Sequence, residues 1–288
     1  HEWSFDAEGK CKQIDYMRKD SCGLTDRTSA KAYPVREMLG MILVWFHAEK
    51  EHADVPLYEP QVSMDLDEGI KDGSWYFARM KTSEFDMHSC EMAMNSADEV
   101  HFNTLHAPLP IPYLDKFISG IHHCEVEYNK GVVRGEVVDI PHMTLFKEKT
   151  DGFYFFGNTK YPVPGSETSS QAVSTTVIFE GPTLVHFIID TPAGKIRQVM
   201  TLLSVEPFKQ YVESRWYAES KVPRYVANLI GYIGGNALEQ DRRVWENKLF
   251  RMKPVLVSGD GPFPAFNRWY GQFYSKSSKA LESATLEW

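Results

Sequence analysis

Cysteine is scarce in this chain. Four residues (Cys11, Cys22, Cys90, Cys124) are scattered through 288 positions with no CxxC spacing, which suits a reducing, intracellular setting better than a disulfide scaffold. Clustered basic charge is also missing. Lys and Arg number 31 against 39 Asp and Glu, a formal charge of −8, and no basic run is longer than pairs such as Arg242-Arg243. A phosphate-binding face needs clustered cations, so nucleic acid is not expected as a partner. Long apolar runs are absent as well: the longest, Met38–Phe46, has nine residues, whereas a membrane-spanning helix needs about twenty. No span is expected in this segment, which leaves membrane association of a longer chain open. There is no initiating Met, leader or internal repeat, and His1-Glu2-Trp3-Ser4-Phe5 starts inside a strand-like pattern. The chain is therefore expected to be a piece of a longer protein.

What is present supports a folded core. With 43% hydrophobic and 24% charged residues, the composition is that of a globular chain with room for one large domain or two modest ones. Trp3–Phe5, Ala32–Val35 and Met41–Phe46 read as extended pieces, the last short enough to be a fully buried strand. Charged residues with Pro56 and Pro60 then punctuate the chain, placing a boundary between a small β domain at 1–57 and a second domain at 58–288. In the second domain, strands are expected at Ser74–Met80 and Phe85–Met92, a helix at Asn95–His106, and strands from His122 to Leu203. Thr183–Asp190 and Lys195–Leu203 flank the turn Thr191-Pro192-Ala193-Gly194 as a hairpin. Helix is expected from about Pro223, broken at Gly234-Gly235 and restarted by the capping pair Asn236 and Glu239 through Leu249, with Pro254 closing it. This order is α+β rather than alternating α/β.

The segment Asn95-Ser96-Ala97-Asp98-Glu99-Val100-His101-Phe102-Asn103-Thr104-Leu105-His106 carries the chemistry. Two imidazoles five residues apart are offset by roughly 140° on a regular helix, so they meet one ion only if the helix is distorted or ends between them. Pro108 and Pro110 make such an ending reasonable. The spacing is not that of His-Glu-x-x-His, which disfavours a zinc protease. Two nearby histidines alone are more often surface or core residues than ligands. A third candidate is Asp241, which lies within the helical stripe of Ala237, Leu238, Val244, Trp245 and Leu249. A carboxylate facing a core costs several kcal/mol unless its charge is matched. Either a buried ion pair to an arginine or a metal would match it, and two histidines with one carboxylate form the facial triad of non-haem Fe(II) enzymes.

The pattern Asn-x-x-Asp-x-x-His-x-x-x-x-His with a distant Asp resembles the catalytic domain of Rieske-type non-haem iron oxygenases. His1-Glu2-Trp3-Ser4-Phe5 with Gly9 resembles the tail of the second Rieske cluster motif, and Tyr33–Glu37 through Gly40–Phe46 resemble its last strands. The C-terminal half is most similar to Neverland-type cholesterol 7-desaturases, through Gln240-Asp241, Trp245–Lys248, Asp260-Gly261-Pro262, Arg268–Tyr274 and the closing Thr285–Trp288. The resemblance implies an antiparallel sheet curled round helices, a helix-grip catalytic domain, preceded by a remnant of a Rieske β domain. It implies mononuclear Fe(II) on His101, His106 and Asp241. Asp98 would link His101 to the cluster of a neighbouring subunit in a head-to-tail homotrimer, with Asn95 close to the iron and His1 a cluster ligand. It further implies a 2Fe–2S cluster, electrons from NAD(P)H through a separate reductase, a sterol substrate, and formation of the 7,8 double bond of 7-dehydrocholesterol.

There are departures from the pattern. A Rieske centre takes two Cys and two His, and only His1 stands in place, since Cys11 and Cys22 follow it rather than precede it. The segment by itself is expected to bind iron and turn nothing over. Met94 replaces an acidic residue before Asn95. Val173, Val177, Leu184 and Phe187 are candidates for a sterol-facing wall, although ordinary core is the better explanation for them. His47, His52, His88, His122, His123, His142 and His186 have no ligand partner at suitable spacing. A steroid hydroxylase with the same iron site, or an iron-free lipid-binding module, are the competing readings.

Overall fold

Strand residues that alternate between buried and half-exposed positions, as in Lys209–Glu219 where Gln210, Val212, Ser214 and Trp216 are buried, make a sheet with two different faces. The computed structural model describes residues 2–16, 28–108, 118–155, 159–162, 174–249 and 255–275, and the chain divides into the units His1–Glu59 and Pro60–Trp288. In the first unit, β1 (Trp3–Phe5) pairs antiparallel with β2 (Cys11–Ile14), and β3 (Val35–Met38) with β4 (Met41–Val44). The fully buried strand expected at Met41–Phe46 is not found. It ends at Val44, and Ile42, Val44 and Phe46 are exposed while Met41 is buried. The pleat sends alternate side chains to opposite faces, and among the described residues only one face is covered.

The second unit is α+β. Its strands are β5 (Trp75–Phe85), β6 (Ile118–Val133), β7 (Glu136–Phe155), β8 (Thr159–Pro162), β9 (Ser174–Glu180), β10 (Leu184–Thr191), β11 (Gly194–Glu206) and β12 (Lys209–Glu219). They form one sheet in the order β5-β12-β11-β10-β9-β7-β6, with β8 on β7 and every pairing antiparallel. The β10–β11 hairpin turns between Thr191 and Gly194, at the turn the sequence predicts. The two strands expected over Ser74–Met92 are instead a single β5 followed by the short helix α2 (Cys90–Met94). Pairing along β12, from Trp75↔Glu219 to Phe85↔Gln210, carries the strand through its polar stretch because long-range ladder bonds outweigh local pattern.

One sheet face is covered by α4 (Arg224–Trp245) and α5 (Phe263–Gly271), whose Leu238, Trp245, Phe266 and Trp269 pack with Phe146, Val177, Phe179, Val185, Met200 and Val212. The opposite face takes α1 (Gln61–Lys71), with Val62 against Met143, Leu145, Ile178 and Ile188. The break expected at Gly234-Gly235 does not occur, and α4 runs through it uninterrupted. The glycines serve close approach instead. A Cβ on Gly234 would come within 2.4 Å of the Trp216 ring, and one on Gly231 within 2.8 Å of Arg79 Cδ. Burial of Trp216, only 1% exposed, offsets the roughly 1 kcal/mol that each helical glycine costs relative to alanine. Pro254 and Thr285–Trp288 lie outside the described residues. Among the described residues no helix is long and apolar enough to cross a membrane.

The N-terminus of α1 has Pro60 at its cap position and no side-chain cap of its own. Glu180 of β9 supplies the acceptors. Its carboxylate accepts from Val62 N at 2.6 Å, Ser63 N at 3.1 Å, Ser63 Oγ at 2.6 Å and His186 Nε2 at 3.0 Å. Burial pushes the Glu180 pKa up, but the bonds from His186, Ser63 and Val62 outweigh it and hold the carboxyl below its usual value. A depressed carboxyl stabilises the fold fully above the unfolded value of about 4.3 and loses that contribution as pH falls through the lower folded value. Glu180→Gln is therefore expected to cost about 3 kcal/mol at pH 7 by urea unfolding, with the deficit shrinking below about pH 4. A deficit that does not change with pH would show that the carboxylate charge is not what stabilises α1.

Candidate metal centre

The segment between β5 and β6 is two short helices rather than the single helix expected over Asn95–His106. The first is α2, and the second, α3 (Glu99–Thr104), starts at Asp98, whose carboxylate accepts from His101 N at 3.2 Å. A side-chain acceptor at this position satisfies an otherwise orphaned helix N–H. The helix stops at Thr104 with Leu105 as its C-terminal cap residue, so His106 lies beyond it and is released from the 140° offset. The two rings stand edge to face with centroids 5.2 Å apart.

Asp241 reaches the same place from α4. It is 9% exposed, between buried Leu238 and Trp245. Ligand-type atoms of His101, His106 and Asp241 lie within 4.8 Å of one another, and they are the one such group of three among the described residues. Asp241 Oδ1 meets His106 Nε2 at 3.2 Å and accepts from Asn95 Nδ2 at 3.1 Å. Each imidazole is oriented by its other nitrogen. Nδ1 of His101 donates to the Asp98 carbonyl, and Nδ1 of His106 to Gln240 Oε1 at 3.1 Å. With both Nδ1–H groups engaged, the lone pairs are left at Nε2, the arrangement that outer partners impose on metal-binding histidines.

Electrostatics divide the two rings. Burial lowers the pKa of His101, against support from the Asp98 carbonyl and the charge of Asp241. Burial also works against a charged His106, but the hydrogen bond and charge of Asp241, with Gln240 and Glu148 behind them, raise its pKa overall. Two neutral-capable imidazoles and one carboxylate, held by fixed hydrogen bonds, fit a divalent first-row cation of the Fe(II) type. Asp98 and Asn95 border a surface hollow of about 320 Å³ that Lys248, Asp260 and Phe263 also line. His1 lies outside the described residues.

Other residues around the centre were not singled out from the sequence. Phe102 stacks on Phe146 at 5.1 Å and lies beside the two rings, 4.2 Å from His101 and 5.4 Å from His106 between centroids. Gln240, which carries part of the family resemblance but no assigned role, orients His106. Asn103 ties α3 to β6 by exchanging hydrogen bonds with the backbone of His122, both at 2.9 Å. Among the wall candidates, Val177 and Phe187 are cross-strand partners beside the core of this face. Leu184 alternates with them and shares the phase of His186, which meets Ser63 of α1, so it points to the other face. Val173 lies outside the described residues.

Residues 44–274 match the family model described as the 3-Ketosteroid 9alpha-hydroxylase C-terminal domain. The chain is 26% identical to a cholesterol 7-desaturase (nvd 1) of Ciona intestinalis, over 98% of this chain and 56% of that protein. It is 28% identical to the Drosophila melanogaster cholesterol 7-desaturase nvd, over 99% and 62%. A 3-ketosteroid-9-alpha-monooxygenase oxygenase component of Rhodococcus rhodochrous is 22% identical over 95% and 63%. The chain thus spans less than two thirds of the length of these relatives. Among solved structures, dicamba monooxygenase bound to dicamba superposes with a TM-score of 0.57 at 14% identity, covering 98% of this chain and 78% of that one. Pseudomonas putida CBB5 NdmB gives 0.56 at 16% identity, over 94% and 66%.

Anaerobic loading with ferrous ion is expected to give about one iron per chain, and Asp241→Ala or His106→Ala to lose it. Gln240→Leu, which leaves the three donors intact but frees the His106 ring, should weaken iron affinity about 10–100-fold. Metal analysis with a chelator competition series checks all three. Full iron retention by Asp241→Ala would remove that residue from the ligand set.

Proposed function

We propose a function from an established premise: this chain belongs to the 3-ketosteroid 9α-hydroxylase C-terminal domain family, within the Rieske-type non-haem iron oxygenases. It carries the catalytic domain of a steroid oxygenase, and the reaction we assign to the complete protein is introduction of the 7,8 double bond into cholesterol. The observation that carries this reading is the convergence of His101, His106 and Asp241 in a chain similar along nearly its whole length to cholesterol 7-desaturases. Bound ferrous iron would supply the reductive activation of dioxygen that removal of hydrogen from an unactivated C–H bond requires.

The chain's own residues do the holding and placing. Asp98 and Gln240 fix the tautomer and tilt of the two histidines through Nδ1, and Asn95 holds the Asp241 carboxylate by its amide. These bonds keep the ligand set from relaxing when a substrate displaces water. The side chains of the inner sheet face, Phe146, Val177 and Phe187 among them, together with Phe102 of α3, offer a dry wall against which a steroid skeleton can rest. Asp98 borders the surface hollow, and we assign it the link from His101 to a 2Fe–2S domain of a neighbouring subunit in a trimer. His1 would ligate that cluster, and a separate reductase would supply electrons from NAD(P)H. The unit His1–Glu59 is read as the C-terminal part of the cluster domain.

A second reading, hydroxylation of a steroid at the same centre, is favoured by the name of the matched family model and by the Rhodococcus relatives. The ligand set is common to both, so the pose of the substrate separates them. Sterol profiling of cells expressing the complete protein with its reductase tests the assignment. 7-Dehydrocholesterol is expected with the wild type and not with Asp241→Ala. A hydroxysteroid in its place would establish the second reading, and equal accumulation in both strains would overturn the role of Asp241.

A further inference from the structure

The inner face of the sheet is apolar along most of its length but polar at its β6–β7 end. Register sets His122 opposite Thr150 and Cys124 opposite Glu148, so His122, Glu148 and Thr150 share the face that carries Phe146. The Glu148 carboxylate accepts from His122 Nδ1 at 2.8 Å and from the Thr150 hydroxyl at 2.9 Å. Glu148 and Thr150 are buried, and His122 nearly so. The other ring nitrogen of His122, Nε2, is buried with no hydrogen-bond partner among the described residues. Buried polar atoms of this kind are rare and costly, and each asks for an explanation.

The backbone of a glycine packs directly against that nitrogen. Gly120, two residues earlier on the same strand face, has no positive φ to explain a glycine, yet a Cβ there would stand 2.7 Å from His122 Nε2. Position relative to the metal centre is fixed too. The paired hydrogen bonds of Asn103 clamp the His122 backbone to α3, between His101 and His106 in sequence. One aromatic ring, Phe102, borders both sites, with its centroid 6.2 Å from His122 and 5.4 Å from His106.

We infer that His122 Nε2 binds the ring hydroxyl of the steroid and thereby sets which carbon lies at the metal centre, an inference that rests on the steroid-oxygenase reading above. The chemistry follows from the tautomer. With Nδ1–H given to Glu148, a neutral ring carries its lone pair at Nε2, which accepts from a hydroxyl. Glu148 and Thr150 hold the ring so that it cannot turn away. A steroid offers few polar handles, so one hydrogen bond at a fixed distance from the metal fixes the register of the whole skeleton.

Equilibrium binding tests this, using the full-length protein loaded anaerobically with ferrous iron. The probes are cholesterol and cholest-5-ene, the same skeleton without its hydroxyl. Wild type is expected to prefer cholesterol about tenfold. His122→Phe, which keeps the contact with Phe102, and Gly120→Ala, whose methyl would meet Nε2 at 2.7 Å and so push the imidazole from its place, should both bring the ratio near one. Iron content should stay unchanged in both. A tenfold preference that persists in either folded variant overturns the inference, as does a wild type that binds both probes equally. A wild type that binds neither probe sinks the steroid reading itself.

Discussion

A carboxylate buried on the apolar side of a long helix is the constraint on which the larger unit depends. Asp241 sits between Leu238 and Trp245 with little access to water, and such a group is tolerated only where other groups answer its charge. Its answers come from elsewhere in the chain: Asn95 from the loop after α2, and His106 from just beyond α3. Satisfying one side chain therefore forces three segments together. The same field that raises the His106 pKa favours any cation at that point, which is why a site stabilised for folding is also a site prepared for a metal.

The scaffold delivers these groups by close packing rather than by local helix geometry. Helix α4 can bring Asp241 down to the sheet because Gly231 and Gly234 leave room for the indole of Trp216. Segment α3 is held from the other side by Asn103 on β6, and Phe102 fills the space under the two imidazoles by stacking on Phe146. A well-packed interior transmits such placements with little slack, so residues with no chemistry of their own set the geometry of those that have it.

Buried polar groups elsewhere obey the same rule with a different outcome. Glu180 is fully answered by the N-terminus of α1, Ser63 and His186, and its cluster is structural. His122 has half an answer: Glu148 takes one nitrogen and nothing among the described residues takes the other. Both histidines keep one ring nitrogen without a partner among the described residues, and what distinguishes the pairs is their place: the Glu180 carboxylate caps α1, whereas His122 lies beside Phe102 near the metal centre.

The sequence by itself determined the ligand types, the His–x4–His spacing, the burial of Asp241 beside Leu238 and Trp245 (though not of Val244 and Leu249, which are exposed), the β10–β11 hairpin and the α+β order. These are signals of short range, read from neighbours three, four or five residues apart. Tertiary structure alone decided that α3 stops at Thr104 so that both rings converge, and that α4 runs through Gly234-Gly235. It also decided that β5 continues through its polar stretch, that Leu184 faces away from Phe187, and that His122 and His186 each meet a glutamate. The physical reason is common to all of these. Where a helix ends, whether a glycine breaks or packs, and which residues oppose each other across strands depend on contacts between segments far apart in the chain, and local propensity carries no record of them.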